Sequence, residues 1–152
     1  IFPPQAYVMK RELLHIPFFG WGLAMTSPIA INRRDGLGAF KKLLVLGKAR
    51  LQAGLWVVIF PEGARQLPNQ RLGKFHLGGA YLACANATTV IPVAHNAGHF
   101  WPKNSLRKNA GVIQVRIGVP IDSRHLDAHA LNTQVKNWIQ RQMQELEACN
   151  LH

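Results

Sequence analysis

The sequence predicts an α/β domain on a mostly parallel sheet flanked by helices, and three observations lead to that class. Strand-like and helix-like segments alternate along the chain, with no internal repeat and no low-complexity tract. The run Leu55-Trp56-Val57-Val58-Ile59-Phe60 is continuously apolar, as in an interior strand covered on both faces. The chain has 152 residues, 48% of them apolar and 16% charged, enough for one domain with a real core.

The elements follow in order. Ala6-Tyr7-Val8-Met9 reads as a short strand and Ile29-Ala30-Ile31 as a second. Asp35 can cap a helix over residues 36 to about 53, with Leu37, Phe40, Leu44, Gly47 and Leu51 on one face and Gly54 ending it. Residues 75–86 are rich in Ala and Leu and read as a helix. Thr88-Thr89-Val90-Ile91-Pro92-Val93 reads as a strand in which Pro92 marks an edge or an end. Residues 112–117 alternate as a half-exposed strand, and residues 131 to about 148 form an amphipathic helix with Leu131, Val135, Trp138, Ile139 and Leu146 inward.

The formal net charge is +11, and it is uneven. Residues 1–116 hold 15 Lys/Arg against 3 Asp/Glu, whereas residues 117–152 hold 3 against 4. Such a field attracts phosphate-bearing partners: nucleic acid, an anionic membrane surface or a phosphorylated metabolite. Cys84 and Cys149 make no disulfide framework; Cys84 reads as a buried small hydrophobe, and a reducing compartment follows. The longest apolar stretch, residues 16–31, is broken by Pro17, Gly20, Gly22 and Pro28 and falls short of the roughly 20 residues of a membrane span. Its Phe18, Phe19 and Trp21 follow Lys10 and Arg11, a grouping that suits either a membrane interface or a core. The chain begins with Ile rather than Met and shows no signal-peptide pattern, so a single domain truncated at its N-terminus is expected.

Several chemistries lack their motifs. There is no G-x-S-x-G, no P-loop and no complete G-x-G-x-x-G. His95 and His99 stand four apart, but Gly98 and the nearby Pro92 argue for loop histidines rather than a zinc site, so no metal is expected. No nucleic-acid reader motif is present, and the aromatics are not spaced through a basic strand face. Nucleic acid is therefore not an expected partner.

Against that background Phe60-Pro61-Glu62-Gly63-Ala64-Arg65 stands out: a carboxylate and a guanidinium three residues apart, on a Pro/Gly turn after an apolar strand. Lys10 follows the first strand and Arg33 the second. With the strands parallel, Lys10, Arg33 and Arg65 converge at the carboxyl edge of one sheet and form a phosphate pocket. Glu62 there either accepts from a substrate hydroxyl or pairs with Arg65 and pins the turn.

These residues also bring a family into view. The chain resembles the 1-acyl-glycerol-3-phosphate acyltransferases of the glycerolipid acyltransferase superfamily, through four blocks that together cover most of it. Lys10-Arg11-Glu12-Leu13 is similar to the family's K-x-E-L segment, and Ile29-Ala30-Ile31-Asn32-Arg33 to a motif ending in a phosphate-binding Arg. Phe60-Pro61-Glu62-Gly63-Ala64-Arg65 resembles F-P-E-G-[TS]-R, the most specific of the four, and Val90-Ile91-Pro92-Val93 a weaker fourth. Ala64 replaces the usual Thr or Ser, which removes a hydroxyl beside Glu62. No His is followed five positions later by Asp, the family's catalytic pattern, so no catalytic residue is expected in this chain and the pair is expected upstream.

The resemblance implies an acyltransferase-like fold and direct acyl transfer from acyl-CoA or acyl-carrier protein to the free hydroxyl of lysophosphatidic acid. The product is phosphatidic acid, a step of phospholipid biosynthesis, and the acyl donor is a co-substrate, with no cofactor. It implies that Lys10, Arg33 and Arg65 hold the glycerol phosphate, and that Glu62, presented beside Gly63, accepts from the glycerol hydroxyl. It implies an enzyme associated with an anionic membrane surface, at the cytoplasmic face of an inner or organellar membrane. The truncated chain by itself is expected to be inactive. The alternative is a non-catalytic basic module for lipid phosphate or nucleic acid.

Overall fold

The first sheet forms around Gln5–Lys10 (β1), where Ala6, Val8 and Met9 are buried and Gln5, Tyr7 and Lys10 exposed. The computed structural model describes residues 4–32, 34–63, 73–102, 105 and 107–149. They belong to two compact units, Ile1–Phe60 and Pro61–His152.

In the first unit Ile29–Ile31 (β2) and Trp56–Val58 (β3) flank β1 in the order β2-β1-β3, and both pair with it in parallel. The parallel sheet expected from the sequence is this one. The interior strand expected over residues 55–60 is shorter, and among the described strands it lies at an edge, with Trp56 exposed. A continuous apolar run reports two covered faces but not ladder position, because β1 takes the centre and pairs on both sides.

A 3-10 turn, Arg11–His15, and a six-residue helix, Phe19–Ala24 (α1), follow β1. The aromatics of this segment are exposed in this unit rather than packed in its core.

Gly36–Gln52 (α2) joins β2 to β3 and packs on both. Asp35 occupies the cap position but makes no side-chain cap bond; its carbonyl takes the Ala39 N–H at 2.6 Å. Its carboxylate lies over Gly38, where a Cβ would collide with it. Leu43 and Gly47 are buried, whereas Leu37, expected inward, is 78% exposed. Three-residue strands run about 10 Å and the 17-residue helix about 25 Å. The sheet therefore cannot cover every turn of the helix. Gly54 ends the helix at φ +76°, the left-handed conformation that favours glycine.

The second unit is built differently. Val93–His95 (β4) and Val115–Ile117 (β5) form an antiparallel pair, with Ala94 opposite Arg116. The strand expected over residues 88–93 is reduced to an isolated bridge between Val90 and Ile121, and β4 starts just after Pro92, which has no N–H to donate to a ladder. β5 is exposed at all three positions rather than half-exposed. Gly78–Ala85 (α3), Ala97–Phe100 (α4) and Ala128–Cys149 (α5) complete the unit.

Two apolar clusters hold it together. Ala80 and Ala83 of α3 pack with Ile121, Ala128 and Leu131, with Cys84 at the margin. Phe75 and Ala94 pack with Ile139 and Leu146 of α5, and Trp138 leans on them. The inward face predicted for α5 is the one observed. Between the clusters the buried Ser123 hydroxyl reaches the carbonyls of Ala83 at 3.0 Å and Thr88 at 2.8 Å, and the buried Asn96 Oδ1 accepts from the Gln114 N–H at 2.8 Å. Buried polar side chains spent on backbone groups fix loops that apolar contact alone would leave free.

Candidate functional site

Register places the candidate site of the first unit. Val8, Met9 and Lys10 pair with Ile29, Ala30 and Ile31 of β2, while Gln5, Ala6 and Tyr7 pair with Trp56, Val57 and Val58 of β3. β1 thus changes partner halfway, and the ladder on its β3 side stops before its last three residues. The chain leaves β1 toward β2 and crosses through α2 to β3 on the other side of β1, and the carboxyl ends of such parallel strands are where α/β sheets take ligands. Lys10 ends β1 at that edge with an exposed side chain.

The turn after β2 lies at the same edge, since Lys10 and Ile31 are register partners. Asn32 accepts the Arg34 N–H through its Oδ1 at 3.1 Å, and its carbonyl accepts the Asp35 N–H at 3.1 Å. Such an Asx contact holds the Asn32 side chain on the backbone N–H of Arg34 and uses no cationic side chain. Arg33 itself, like Ala64 and Arg65, lies outside the described residues. Not every basic group serves a ligand: the Arg50 Nε donates to the Ser27 carbonyl at 2.9 Å and ties α2 to the approach to β2.

In the second unit Pro61 and Glu62 form a turn closed by Gly63 at φ +71°, a conformation in which a side chain is strained. The Pro61 carbonyl accepts the His76 N–H at 2.9 Å, so the two ends of segment 61–76 are drawn together, and the neighbouring Phe75 anchors in the core. Glu62 is partly buried, and loss of hydration pushes its carboxyl above the ordinary glutamate value. A carboxylate kept in a half-dry turn is a ready hydrogen-bond acceptor for a hydroxyl.

His95 and His99 are not in the loop expected around Gly98: His95 ends β4 and accepts the Ala97 N–H through Nδ1 at 3.3 Å, while His99 belongs to α4. Among the described residues no three His, Cys, Asp or Glu side chains cluster as metal ligands would. Sequence reasoning singled out Lys10 and Glu62 but missed the change of partner along β1, and no local signal could have shown it, because strand order is set by tertiary pairing.

Comparisons with known proteins agree with this architecture. The family model described as "Acyltransferase" matches residues 3–96, which include β1, β2, β3 and the Pro61–Gly63 turn. The chain is similar to the 1-acyl-sn-glycerol-3-phosphate acyltransferase of Pseudomonas aeruginosa, 44% identical over 148 residues, 95% of this chain and 57% of the relative. It is also similar to the enzymes of that name from Cocos nucifera (27% identical, 85% of this chain, 42% of the relative) and Saccharomyces cerevisiae (31%, 83% and 43%). The chain spans about half the length of these relatives. The crystal structure of the 1-acyl-sn-glycerophosphate acyltransferase of Thermotoga maritima superposes with a TM-score of 0.79 at 23% identity, over 95% of this chain and 58% of that one, a likeness of fold. With more than half of its residues under one family model, the chain belongs to the acyltransferase family.

Proposed function

We propose that this chain holds the lysophospholipid for an acyl transfer: the free hydroxyl of 1-acyl-glycerol-3-phosphate attacks the thioester of acyl-CoA or acyl-carrier protein, giving phosphatidic acid for phospholipid biosynthesis. The observation that supports it best is Lys10, exposed at the carboxyl end of β1 where that strand has no β3 partner, in a chain similar to enzymes named for this reaction. Lys10, Arg33 and Arg65 are assigned to the phosphate, where cations supply charge-assisted donors. Glu62 is assigned to a glycerol hydroxyl as acceptor, and Gly63 gives the turn its shape.

In the transfer the hydroxyl oxygen forms the new ester bond, the carbon–sulfur bond breaks, and the thiol leaves with a proton. None of these five residues is given the task of taking the hydroxyl proton; their contribution is position, and fixed geometry alone supplies a large part of such rates. The reaction is placed at the cytoplasmic face of a membrane, where its substrate resides. Among the described residues no helix is long and apolar enough to cross a membrane.

The test is acylation of lysophosphatidate by the full-length protein with each donor, read as phosphatidate formed. Product with either donor supports the reading. Binding of lysophosphatidate without product from either donor would replace it with a non-catalytic lipid-phosphate module.

A further inference from the structure

Ile16, Phe18, Phe19, Trp21 and Met25 are 45%, 79%, 55%, 65% and 88% exposed, five large apolar side chains within ten residues. Single exposed apolar residues are ordinary, but a cluster of them marks an interaction surface. Its orientation is built in. Gly20, the buried residue of α1, sits against the carbonyl groups of Leu13 and Leu14, where a Cβ would collide with the Leu14 oxygen. The glycine side of the helix is therefore held on the preceding turn.

Phe18 is held at φ +62°, a strained conformation for a bulky residue, and its ring meets Trp21 edge to face at 5.2 Å. The two rings pack on each other and stay in solvent. Lys10 and Arg11, both exposed, stand at the start of the segment, and Glu12 is the sole carboxylate in residues 10–25. Residues 1–60 as a whole hold eight Lys/Arg against two Asp/Glu.

We propose that residues 16–25 form a foot that seats in the interface of an anionic bilayer, with Phe18, Phe19, Trp21 and Met25 among the upper acyl chains and Arg11 at the headgroups. Charge selects this occupant: an apolar patch preceded by the exposed cations Lys10 and Arg11 matches acyl chains under anionic phosphates. The inference deepens the lysophosphatidate reading and rests on it for the cargo, because the foot follows directly on Lys10 and would bring that edge of the sheet to the lipid phosphates.

The test is co-sedimentation of the full chain with vesicles of equal phosphatidylglycerol and phosphatidylcholine, and with phosphatidylcholine alone. Wild type is expected to prefer the anionic vesicles. Phe18→Ala with Trp21→Ala is expected to weaken binding about tenfold or more, and Trp21→Phe to retain most of it. Met25→Asp, at a position that packs on little, should weaken binding to anionic vesicles with an unchanged circular dichroism spectrum, and Trp101→Ala, an exposed aromatic elsewhere, should change nothing. Wild type failing to sediment with either vesicle overturns the proposal. So does wild-type binding by both Met25→Asp and the double variant, or a dimer that these variants dissociate while vesicle binding is untouched. Acylation of a short-chain lysophosphatidate below its micelle concentration needs no bilayer. Its failure in wild type sinks the activity reading, and the vesicle result judges the foot separately.

Discussion

Residues 1–60 carry eight Lys/Arg against two Asp/Glu, three short parallel strands and the exposed aromatics of α1, whereas residues 61–152 carry ten against five and two apolar clusters closed by the 22-residue α5. In the first unit the side chains assigned to ligand contact are exposed: Lys10 at a strand end, Trp21 on a short helix and Phe18 just before it. In the second, Leu131 and Leu146 are buried to 1% and 0%, and polar side chains such as Ser123 are spent on backbone carbonyls. The difference separates ligand contact from stability. Substitutions at the exposed positions of the first unit should alter binding with little loss of fold, and those at the buried positions of the second should do the reverse; the Glu62 turn is the exception, being in the second unit yet assigned to substrate.

The largest effect expected from this comparison is on stability. Leu131→Ala should cost about 2–5 kcal/mol by chemical denaturation, while Leu37→Ala, at a 78% exposed position, should stay within about 0.5 kcal/mol. Similar losses at both sites would break the link between burial and stability. Next is Arg65→Ala in the full-length protein, expected to raise the lysophosphatidate KM about 10–100-fold through loss of a charge-assisted contact, with little change in Tm. An unchanged KM together with an unchanged kcat would remove Arg65 from the phosphate.

Ser123→Ala should cost about 1–2 kcal/mol by removing the buried hydroxyl donor shared between the Ala83 and Thr88 carbonyls, and kcat should not move at a temperature where the variant is folded. The smallest effect tests the exception. Glu62→Gln should lower activity yet raise Tm slightly at pH 7. The sign follows from burial: the carboxyl is raised, so the fold favours its protonated form, which costs nothing well below the ordinary glutamate value of about 4.3 and costs more as pH rises through the raised value. The gain in Tm should therefore fade toward pH 4. A lower Tm at pH 7 would instead mean that Glu62 pins the turn through an ion pair.

Much of this was legible in the residues. The helix over 36–52 showed in its apolar spacing and in Gly54, and the inward face of α5 in Leu131, Ile139 and Leu146. Glu62 and Lys10 stood out as charged groups at strand ends. Other features were not legible, for physical reasons. An apolar run such as residues 55–60 fits a central or an edge strand alike, and only pairing put β1 in the middle. Pro92 announced an end of a strand without saying which side, and β4 begins after it.

By itself the sequence determined the strand–helix alternation, the excess of positive charge ahead of residue 117 and the Pro61-Glu62-Gly63 turn, since all three depend on neighbours along the chain. The tertiary structure alone decided that β1 changes partner at Val8, which leaves Lys10 without a partner on the β3 side. It also decided that Phe18 and Trp21 face solvent rather than a core. Hydrophobicity records what a side chain would gain by leaving water; whether another surface is there to receive it depends on residues far away in the chain.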